Sequence, residues 1–312
     1  MSALRLTTAI ATYGHTQPLK DGSLKSERVI LEHVDVSPIT NAFRRMVRTL
    51  EFDVAEMALS TYLCARAHQK PITALPVFLL RRFEHGAIVY NVKSGMQSPP
   101  DLHGRKVGVR SYTLTPGVWV RGILQSVYGV DLEQVQWVIF GDEHVQEYVA
   151  PPQVVSAPAG SDLVAMLLAG KIDAAIGVRN IDSPDIQPLL PDTQNAAIAH
   201  YRQTGIYPIS HLVVVKDALL AANPWLAGEL FALFTAAKDH YLEQLDGSGP
   251  LAPSDVPMQE MRQIIGHDPL LYGMTPNLKT LEAFIRFNVA QQVIPHQVEV
   301  EELFPHSVYA LA

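Results

Sequence analysis

Short apolar runs alternate along this chain with longer segments in which apolar residues recur every three or four positions. A short run predicts a strand, whereas the longer period predicts an amphipathic helix. Residues 39–50 are typical of a helix, because Phe43 and Met46 share one face while Arg44 and Arg48 lie on the other. The runs that predict strands in the first third of the chain are 4–11, 28–36, 52–57, 72–78 and 86–92.

A proline- and glycine-rich stretch, 94–104, separates this part from a second alternating set. The other predicted strands are 106–109, 135–140, 173–178 and 209–215, and the other helices are 61–67, 116–128, 161–169, 224–245 and 276–292. The proline-rich stretch 184–208 is predicted to be a long loop. Strands that alternate with helices form mostly parallel sheets, which bind ligands at the carboxyl ends of the strands. The pattern therefore predicts an α/β protein with two doubly wound lobes and a central cleft.

Composition narrows the choice of partners. The 312 residues suffice for two ordinary domains or one large α/β domain, and a hydrophobic share of 48% is too high for a disordered chain. The formal net charge of −7 argues against nucleic acid and anionic membranes as partners, because both need a positive surface. The single cysteine, Cys64, excludes an internal disulfide and a thiolate zinc cluster, and it is predicted to pack as a small apolar residue.

The first residues lack the basic segment, apolar segment and small-residue cleavage site of a secretory signal. No stretch reaches the ~18 consecutive apolar residues that a membrane span needs. The sequence therefore predicts a cytoplasmic protein. A secreted protein that had lost its leader would show the same pattern, so that alternative stays open.

Two segments rich in polar groups lie at the first and third predicted strands: one follows strand 4–11, and the other includes strand 52–57. Tyr13-Gly14-His15-Thr16 lies where a doubly wound sheet contacts its ligand, and Gly14 would allow close approach of the backbone. The alternative is an ordinary turn. In the second segment, 51–62, either Ser60 or Thr61 is predicted to cap the following helix, whose free N–H groups could hold a carboxylate. A cap without any ligand is the commoner use of such a residue.

Two further segments are rich in basic, hydroxyl and aromatic groups. Residues 81–86, Arg-Arg-Phe-Glu-His-Gly, could clamp an anionic ring, since guanidinium matches carboxylate geometry. The alternative is a solvated loop in which Arg82 pairs with Glu84. Residues 110–115 and 204–211 flank the second lobe, and their hydroxyls and amides predict another anion site ahead of helix 116–128. His211 is then either a buried structural residue or a cleft residue.

The sequence motifs of several common enzyme classes are absent from this chain. The chain contains no Walker motif, no Gly-x-Gly-x-x-Gly, no Gly-x-Ser-x-Gly and no His-Glu-x-x-His, which disfavours nucleotide chemistry, serine hydrolysis and zinc proteolysis. Asp142-Glu143-His144 with Glu147 matches the spacing of no standard metal site. We therefore predict no metal ligands.

Taken together, the segments resemble the 4,5-dihydroxyphthalate decarboxylase family, a branch of the type II periplasmic-binding-protein fold. The resemblance covers nearly the whole chain, in order. The segments that carry it are 13–22, 51–57 (Glu-Phe-Asp-Val-Ala-Glu-Met), 82–85 (Arg-Phe-Glu-His), 104–109, 115–130, 202–211, 223–225 and 268–273. It implies one lobe formed by 1–104 plus 209–312, a second lobe formed by 105–208, and a substrate enclosed between them.

The resemblance also implies a reaction, the loss of carbon dioxide without oxidation from a hydroxylated aromatic dicarboxylate, giving protocatechuate in the type case. A general acid must protonate the ring carbon that bears the departing carboxylate, and histidine suits this task because its ordinary pKa is ~6.5. We expect His211 or His85 to donate the proton, His15 to accept from the phenol, and Arg82 to clamp a carboxylate with help from Ser60 and Thr115. The full set of candidates is His211, His85 and His15 for catalysis, and Tyr13, Ser60, Arg82, Phe83, Tyr112, Thr113, Thr115, Arg179 and Tyr207 for substrate binding.

No cofactor is expected, although a dicarboxylate or catechol could itself bring a divalent metal ion. The main alternative is a solute-binding protein that delivers a small aromatic or carboxylate ligand to an ABC-type transporter, because the same groups would serve it. A third reading keeps the fold and changes the chemistry, since related members of the fold include a chorismate dehydratase. The expected partner is a small aromatic dicarboxylate, and a homo-oligomer built on strand edges or helix 276–292 stays open.

Overall fold

A computed structural model describes residues 3–190, 192–247, 252–266, 268–309 and 311. Its strands are β1 Leu4–Ala9, β2 Val29–His33, β3 Val54–Ala58, β4 Ile72–Arg81, β5 Ile88–Asn91, β6 Lys106–Val109, β7 Gln136–Ile139, β8 Val154–Ser156, β9 Ala174–Ile176, β10 Ile186–Pro188 and β11 Ile209–Lys216. Its α-helices are α1 Gln17–Lys20, α2 Thr40–Thr49, α3 Leu59–Ala67, α4 Thr115–Tyr128, α5 Leu163–Leu168, α6 Thr193–Thr204, α7 Asp217–Ala222, α8 Leu226–Leu245, α9 Val256–Ile265 and α10 Leu278–Ala290. The predicted alternation of strands and helices in an α/β protein is confirmed.

The chain divides into two compact units. The first is formed by Met1–Arg81, Ile209–Lys279 and Val298–Ala312, and the second by Arg82–Pro208 and Thr280–Gln297. The bounds predicted from the sequence differ, because they assign 82–104 and 280–297 to the first lobe. Strand pairing explains why 82–104 belongs to the second unit. This segment contains β5, which lies between β9 and β10 in the sheet of that unit.

Packing explains the second difference. Phe284 of α10 stacks on Trp119 of α4, with their ring centroids 4.6 Å apart. Phe287 lies against Gly122, where a Cβ atom would stand only 2.3 Å from the phenylalanine ring. The absence of a side chain at Gly122 therefore allows α10 to pack closely on α4, which places this helix from Thr280 onward in the second unit.

The first unit is built on one sheet of order β2-β1-β3-β11-β4. β1 runs parallel to β2 and β3, whereas β11 runs antiparallel to β3 and β4. Every residue of β3 is buried, as expected for a strand covered on both faces. In the register of β3 and β11, Val213 lies opposite Glu56 and His211 lies opposite Ala58. Glu56 and His211 are therefore diagonal neighbours on one face of the sheet, within reach of each other.

The second unit has a sheet of order β10-β5-β9-β6-β7-β8. The strands β9, β6, β7 and β8 run parallel, while β5 runs antiparallel to both of its neighbours. Helix α4 follows β6 after the loop 110–114, so this loop leaves the sheet at the carboxyl end of a parallel strand. That edge is where a doubly wound sheet places ligand contacts.

The prediction of a long loop over 184–208 was wrong. This stretch contains the short strand β10 and the helix α6, which covers Thr193–Thr204. The prolines of the stretch lie on either side of α6 and none lies within it, so they bound the helix without interrupting it. Gly205, with a φ of 73°, ends the helix in the left-handed conformation that glycine adopts most easily.

None of the helices in the described part of the chain is both long enough and apolar enough to cross a membrane. Cys64 is buried and forms no disulfide, in agreement with its predicted packing role.

Candidate active site

A fully buried carboxylate, that of Glu56, lies in the middle of the first unit. Its Oε1 atom accepts a hydrogen bond of 2.6 Å from the Tyr13 hydroxyl, and its Oε2 atom accepts one of 2.9 Å from the Ala11 N–H. His211 Nδ1 lies 2.6 Å from Oε1. Burial alone would raise the pKa of Glu56, but the hydrogen bonds and the nearby imidazole together hold it below its ordinary value. Glu56 is therefore an ionised acceptor at neutral pH.

The tautomer of His211 follows from this pairing. An ionised carboxylate can only accept, so the hydrogen between the two groups is carried by Nδ1 of His211. The other ring nitrogen, Nε2, is then the atom that can exchange a proton with a ligand. The edge of the imidazole contacts Phe43 at a centroid distance of 5.0 Å, and 13% of the side chain is exposed. His211 is therefore largely buried, and part of its side chain still reaches solvent.

His15 is stacked on Tyr13, with the two rings nearly parallel and 5.2 Å apart. Burial lowers the pKa of His15 to about 4, so its imidazole is neutral at pH 7. Its Nε2 atom is buried and has no hydrogen-bond partner. Gly14 lets Tyr241 of α8 pack directly against this turn, because a Cβ atom there would stand 2.1 Å from the tyrosine ring.

A second fully buried carboxylate, that of Glu84, lies in the second unit and is held by two arginines. Arg82 Nε lies 2.9 Å from Oε1 and Arg179 Nη2 lies 3.3 Å from Oε2. The arginine side chains are 40% and 44% exposed, so both guanidinium groups also reach solvent. The pairing of Arg82 with Glu84 is the one predicted for a solvated loop, but here the carboxylate is completely buried.

His85 and an aromatic cluster lie beside this carboxylate in sequence. Burial, and to a smaller extent the neighbouring His200 at 5.4 Å between ring centroids, lowers the pKa of His85 to about 4. Its Nδ1 atom is buried without a hydrogen-bond partner. Phe83 contacts Tyr207 at 5.1 Å and Tyr201 at 6.2 Å, forming a small aromatic group.

The loop ahead of α4 holds a third carboxylate. Glu143 accepts hydrogen bonds from the N–H groups of Tyr112 and Thr113 and from the Thr113 hydroxyl. The sequence predicts an anion site at this loop, and a side chain of the protein fills it. Thr115, the first residue of α4, is completely buried.

The predicted cap of α3 was wrong. The helix begins at Leu59, and its cap residue is Ala58, which has no side chain able to accept a hydrogen bond. β3 ends at Ala58 and α3 starts at the next residue, so Ser60 lies inside the first turn. Ser60 and Thr61 are both buried there.

The structure thus gathers the candidate residues into separate groups. Tyr13, His15 and His211 come together in the first unit, and Arg82 and Arg179 meet in the second. Sequence reasoning considered Glu84 only as the partner of Arg82 in a solvated loop and Glu143 only as part of a metal cluster, and it missed the roles of Glu56 and of the buried cation Arg121. One available signal was Glu56 itself, the single charged residue within an otherwise apolar run, 54–58, because a buried glutamate requires a partner. Within the described residues, no three or more histidine, cysteine or acidic side chains are placed to hold a metal ion.

No family model matches the chain. Curated proteins do match it. The 4,5-dihydroxyphthalate decarboxylase of Comamonas testosteroni is 30% identical over 321 aligned positions, which cover 97% of this chain and 97% of the relative. The 4,5-dihydroxyphthalate decarboxylase of Pseudomonas putida is 34% identical over 215 positions, which cover 65% of this chain and 83% of the relative.

Solved structures share the fold at low sequence identity. The periplasmic aliphatic sulphonate binding protein SsuA from Escherichia coli is 13% identical with a TM-score of 0.57, and the match covers 99% of each chain. The alkanesulfonate-binding protein SsuA from Xanthomonas axonopodis pv. citri, bound to MOPS, is 13% identical with a TM-score of 0.55 over 98% of each chain. The desulfurization enzyme DSZB is 13% identical with a TM-score of 0.55, over 99% of this chain and 98% of that one. The fold is therefore periplasmic-binding-protein-like, and it serves both binding proteins and an enzyme.

Proposed function

Because this chain belongs to the 4,5-dihydroxyphthalate decarboxylase family, we propose that it removes carbon dioxide from a hydroxylated aromatic dicarboxylate of the 4,5-dihydroxyphthalate type. It is a carboxy-lyase, as the two curated relatives are by name. The observation in the structure that supports this chemistry best is the Tyr13–Glu56–His211 group, in which a buried carboxylate holds an imidazole.

The reaction needs a proton at one ring carbon. In 4,5-dihydroxyphthalate each carboxylate lies para to a phenol, which can push electron density onto the carbon that bears the carboxylate. A general acid protonates that carbon and interrupts the aromatic system. The bond between the ring and the carboxylate then breaks, carbon dioxide leaves, and the electron pair of that bond restores the ring. The protein must therefore supply an acid, a partner for the phenol and groups that bind the remaining carboxylate.

We assign the acid to His211. Its Nδ1–H donates to the ionised Glu56, which leaves Nε2 as the ring nitrogen that can pass a proton to the substrate. His85 suits the role less well, because burial lowers its pKa to about 4 and keeps it neutral at pH 7. The choice between these two histidines, which the sequence leaves open, therefore falls on His211.

The same reasoning gives His15 a different task. A neutral imidazole whose pKa is lowered to about 4 is a weak base, but it can accept a hydrogen bond from the substrate phenol through its unpartnered Nε2 atom. Stacking on Tyr13 also holds the tyrosine ring in the orientation that brings its hydroxyl to Glu56. His15 is thus a proposed hydrogen-bond acceptor.

Groups suited to carboxylate and ring binding lie on the second unit. Arg82 and Arg179 remain half-exposed while they hold Glu84, so each has N–H donors left for a substrate carboxylate. Phe83 is partly exposed and packs on the buried Tyr207, so it is the aromatic side chain of this pair that can contact a substrate ring. Tyr112, Thr113 and Thr115, with Ser60 on the first unit, complete the proposed set of substrate-binding residues.

The rival function is that of a solute-binding protein, which the likeness to the SsuA proteins supports as fold alone. Binding without reaction would require only the anion-binding groups. A buried carboxylate that orients an imidazole favours the enzyme, because binding an anion gains nothing from a proton donor of this kind.

The deciding experiment incubates metal-stripped protein with 4,5-dihydroxyphthalate and follows carbon dioxide and protocatechuate. Release of both in equal amounts supports the proposed function. Arms with added magnesium, manganese or zinc ions test the expectation that no cofactor is needed, since catechols and paired carboxylates are themselves metal ligands. Tight binding without turnover in every arm would indicate a solute receptor. Absence of binding would discard this substrate.

The cytoplasmic location and the oligomeric state stay predictions. Cell fractionation tests the first, and light scattering tests the second.

A further inference from the structure

The loop ahead of α4 binds the Glu143 carboxylate as it would bind a ligand. The Tyr112 N–H lies 2.5 Å and the Thr113 N–H 3.2 Å from carboxylate oxygens, and the Thr113 hydroxyl donates a further hydrogen bond. Three donors from two consecutive residues thus converge on one carboxylate. We call these three donors the carboxylate subsite.

A buried cation lies behind this subsite. Arg121 of α4 is completely buried, and no carboxylate in the described part of the chain forms an ion pair with it. Its guanidinium lies 4.0 Å above the Tyr112 ring and 5.3 Å above the Trp137 ring. Nε donates to Gln291 at 2.7 Å and Nη2 donates to the Tyr112 carbonyl at 2.6 Å, whereas Nη1 is buried without a partner beside Gly117, in the first turn of α4.

The cation and the subsite share one peptide group. The carbonyl that accepts from Arg121 and the N–H of Thr113 belong to the same amide, between Tyr112 and Thr113. Hydrogen bonds in such a chain polarise one another, so the guanidinium makes the Thr113 N–H a stronger donor to an anion. A completely buried cation without a directly paired carboxylate is unfavourable for folding by itself, and the negative charge of Glu143 in the subsite partly offsets this cost. Its position therefore favours a role in anion binding.

We propose that the carboxylate subsite binds a carboxylate group of the substrate, that Glu143 occupies it in the free enzyme and leaves when substrate binds, and that Arg121 is the positioning residue that strengthens it. The inference rests on the proposed function, since it takes the anion to be an aromatic carboxylate. It adds to that function an internal competitor for the substrate.

The placement of Glu143 allows such an exchange. It lies after the end of β7, in an irregular segment, and its side chain is partly exposed. Glu143 can therefore move out without breaking a strand or a helix. The alternative is that Glu143 only stabilises the loop, in which case its removal weakens ligand binding.

The test measures binding by calorimetry, without turnover. Wild type, Glu143→Ala and Glu143→Gln are titrated with phthalate, and Glu133→Gln serves as a control that changes the charge of an exposed acid in the same unit. The apparent affinity equals the intrinsic affinity multiplied by the fraction of subsites that Glu143 leaves free. With about one subsite in ten free in wild type, we expect Glu143→Ala to bind phthalate about tenfold more tightly. Glu143→Gln should fall between Ala and wild type, because its amide oxygen still accepts but carries no charge. Glu133→Gln should match wild type.

Each contrary result has a distinct meaning. Unchanged or weaker phthalate binding by folded Glu143→Ala, or no binding at all, would overturn the inference. A gain for sulfate but not for phthalate would make the subsite one for inorganic anions and would overturn it equally. Failure of the proposed function gives a different result. Wild type would then still bind phthalate but would release no carbon dioxide from 4,5-dihydroxyphthalate.

Arg121 needs its own readout. In Glu143→Ala, binding of phthalate should move the Thr113 amide proton downfield, and the shift should shrink when Arg121→Lys is added, because lysine cannot span both of the arginine's acceptors. An Arg121→Lys variant that folds and keeps the full shift would remove Arg121 from the proposal. If that variant does not fold, the Thr113 shift in Glu143→Ala alone decides, and its absence would overturn the subsite.

Discussion

Each of the two units buries one glutamate completely, but the two carboxylates have different partners. Glu56 in the first unit is held by a tyrosine hydroxyl, a backbone N–H and His211. Glu84 in the second unit is held by two arginines that stay half-exposed. Both arrangements satisfy a buried negative charge, as folding requires.

The difference decides what each group can do. An imidazole has two ring nitrogens, so His211 can pass a proton through Nε2 while Nδ1 stays hydrogen-bonded to the ionised Glu56. Guanidinium stays charged at any pH the protein meets, so the Glu84 group presents constant positive charge to an anion. The first unit is therefore suited to moving a proton and the second to binding a carboxylate.

The largest expected effect comes from removing the imidazole of the first group. His211→Gln should lower kcat about 10³-fold, within the usual range for loss of a general acid, and leave KM within a few-fold of wild type. Steady-state kinetics with 4,5-dihydroxyphthalate measure both constants. The matched variant, His85→Gln, removes a buried histidine from the second unit and should keep most of the activity. If His85→Gln were the inactive variant, the two histidines would have to exchange roles.

The second prediction concerns stability and pH. His15 has a pKa of about 4 in the folded protein and an ordinary value near 6.5 when unfolded, so between these values only the unfolded chain takes up the proton. Stability is therefore complete above pH 6.5 and falls as the pH drops toward 4, by about 3 kcal/mol for this residue.

Urea denaturation of wild type and His15→Gln between pH 7 and pH 4 isolates that contribution. The variant should lose less stability than wild type over this range, whereas His306→Gln, at an exposed position, should follow wild type. Parallel curves for wild type and His15→Gln would contradict the assignment of a neutral His15.

Much of the fold could be predicted from periodicity, and the contacts of the site could not. The sequence identifies both β3 and β11 as apolar runs, but Glu56 and His211 are 155 residues apart. Their contact depends on the antiparallel register of these strands, which local patterns do not contain. The same holds for Glu143. The anion site at 110–115 could be predicted from its hydroxyls and amides, but the side chain that fills it comes from another loop, which the local sequence does not identify.

The third prediction tests the second unit. Arg179→Met should raise KM about thirtyfold with little change in kcat, because a charge-assisted bond to a substrate carboxylate contributes about 2 kcal/mol and is made in the ground state as well. Arg105→Met is the matched control, since Arg105 is also half-exposed and paired with an acid, Asp173, in the same unit. A fall in kcat with unchanged KM would place Arg179 in the chemical step and would undo the contrast between the two groups.

The smallest effect is expected from the tyrosine that shares Glu56 with His211. Tyr13→Phe removes one hydrogen bond to the carboxylate and keeps the ring that stacks on His15, so the change should be confined to the charge of Glu56. Loss of one such donor raises the pKa of Glu56 and, at about 1 kcal/mol, should lower kcat about fivefold. The acid limb of the kcat profile should also move to higher pH, because Glu56 must stay ionised to accept the hydrogen bond from His211 Nδ1. Tyr309→Phe, whose hydroxyl contacts only the exposed Glu301 carbonyl, provides the control. A Tyr13→Phe profile that coincides with wild type would mean that His211 and the Ala11 N–H suffice to keep Glu56 ionised.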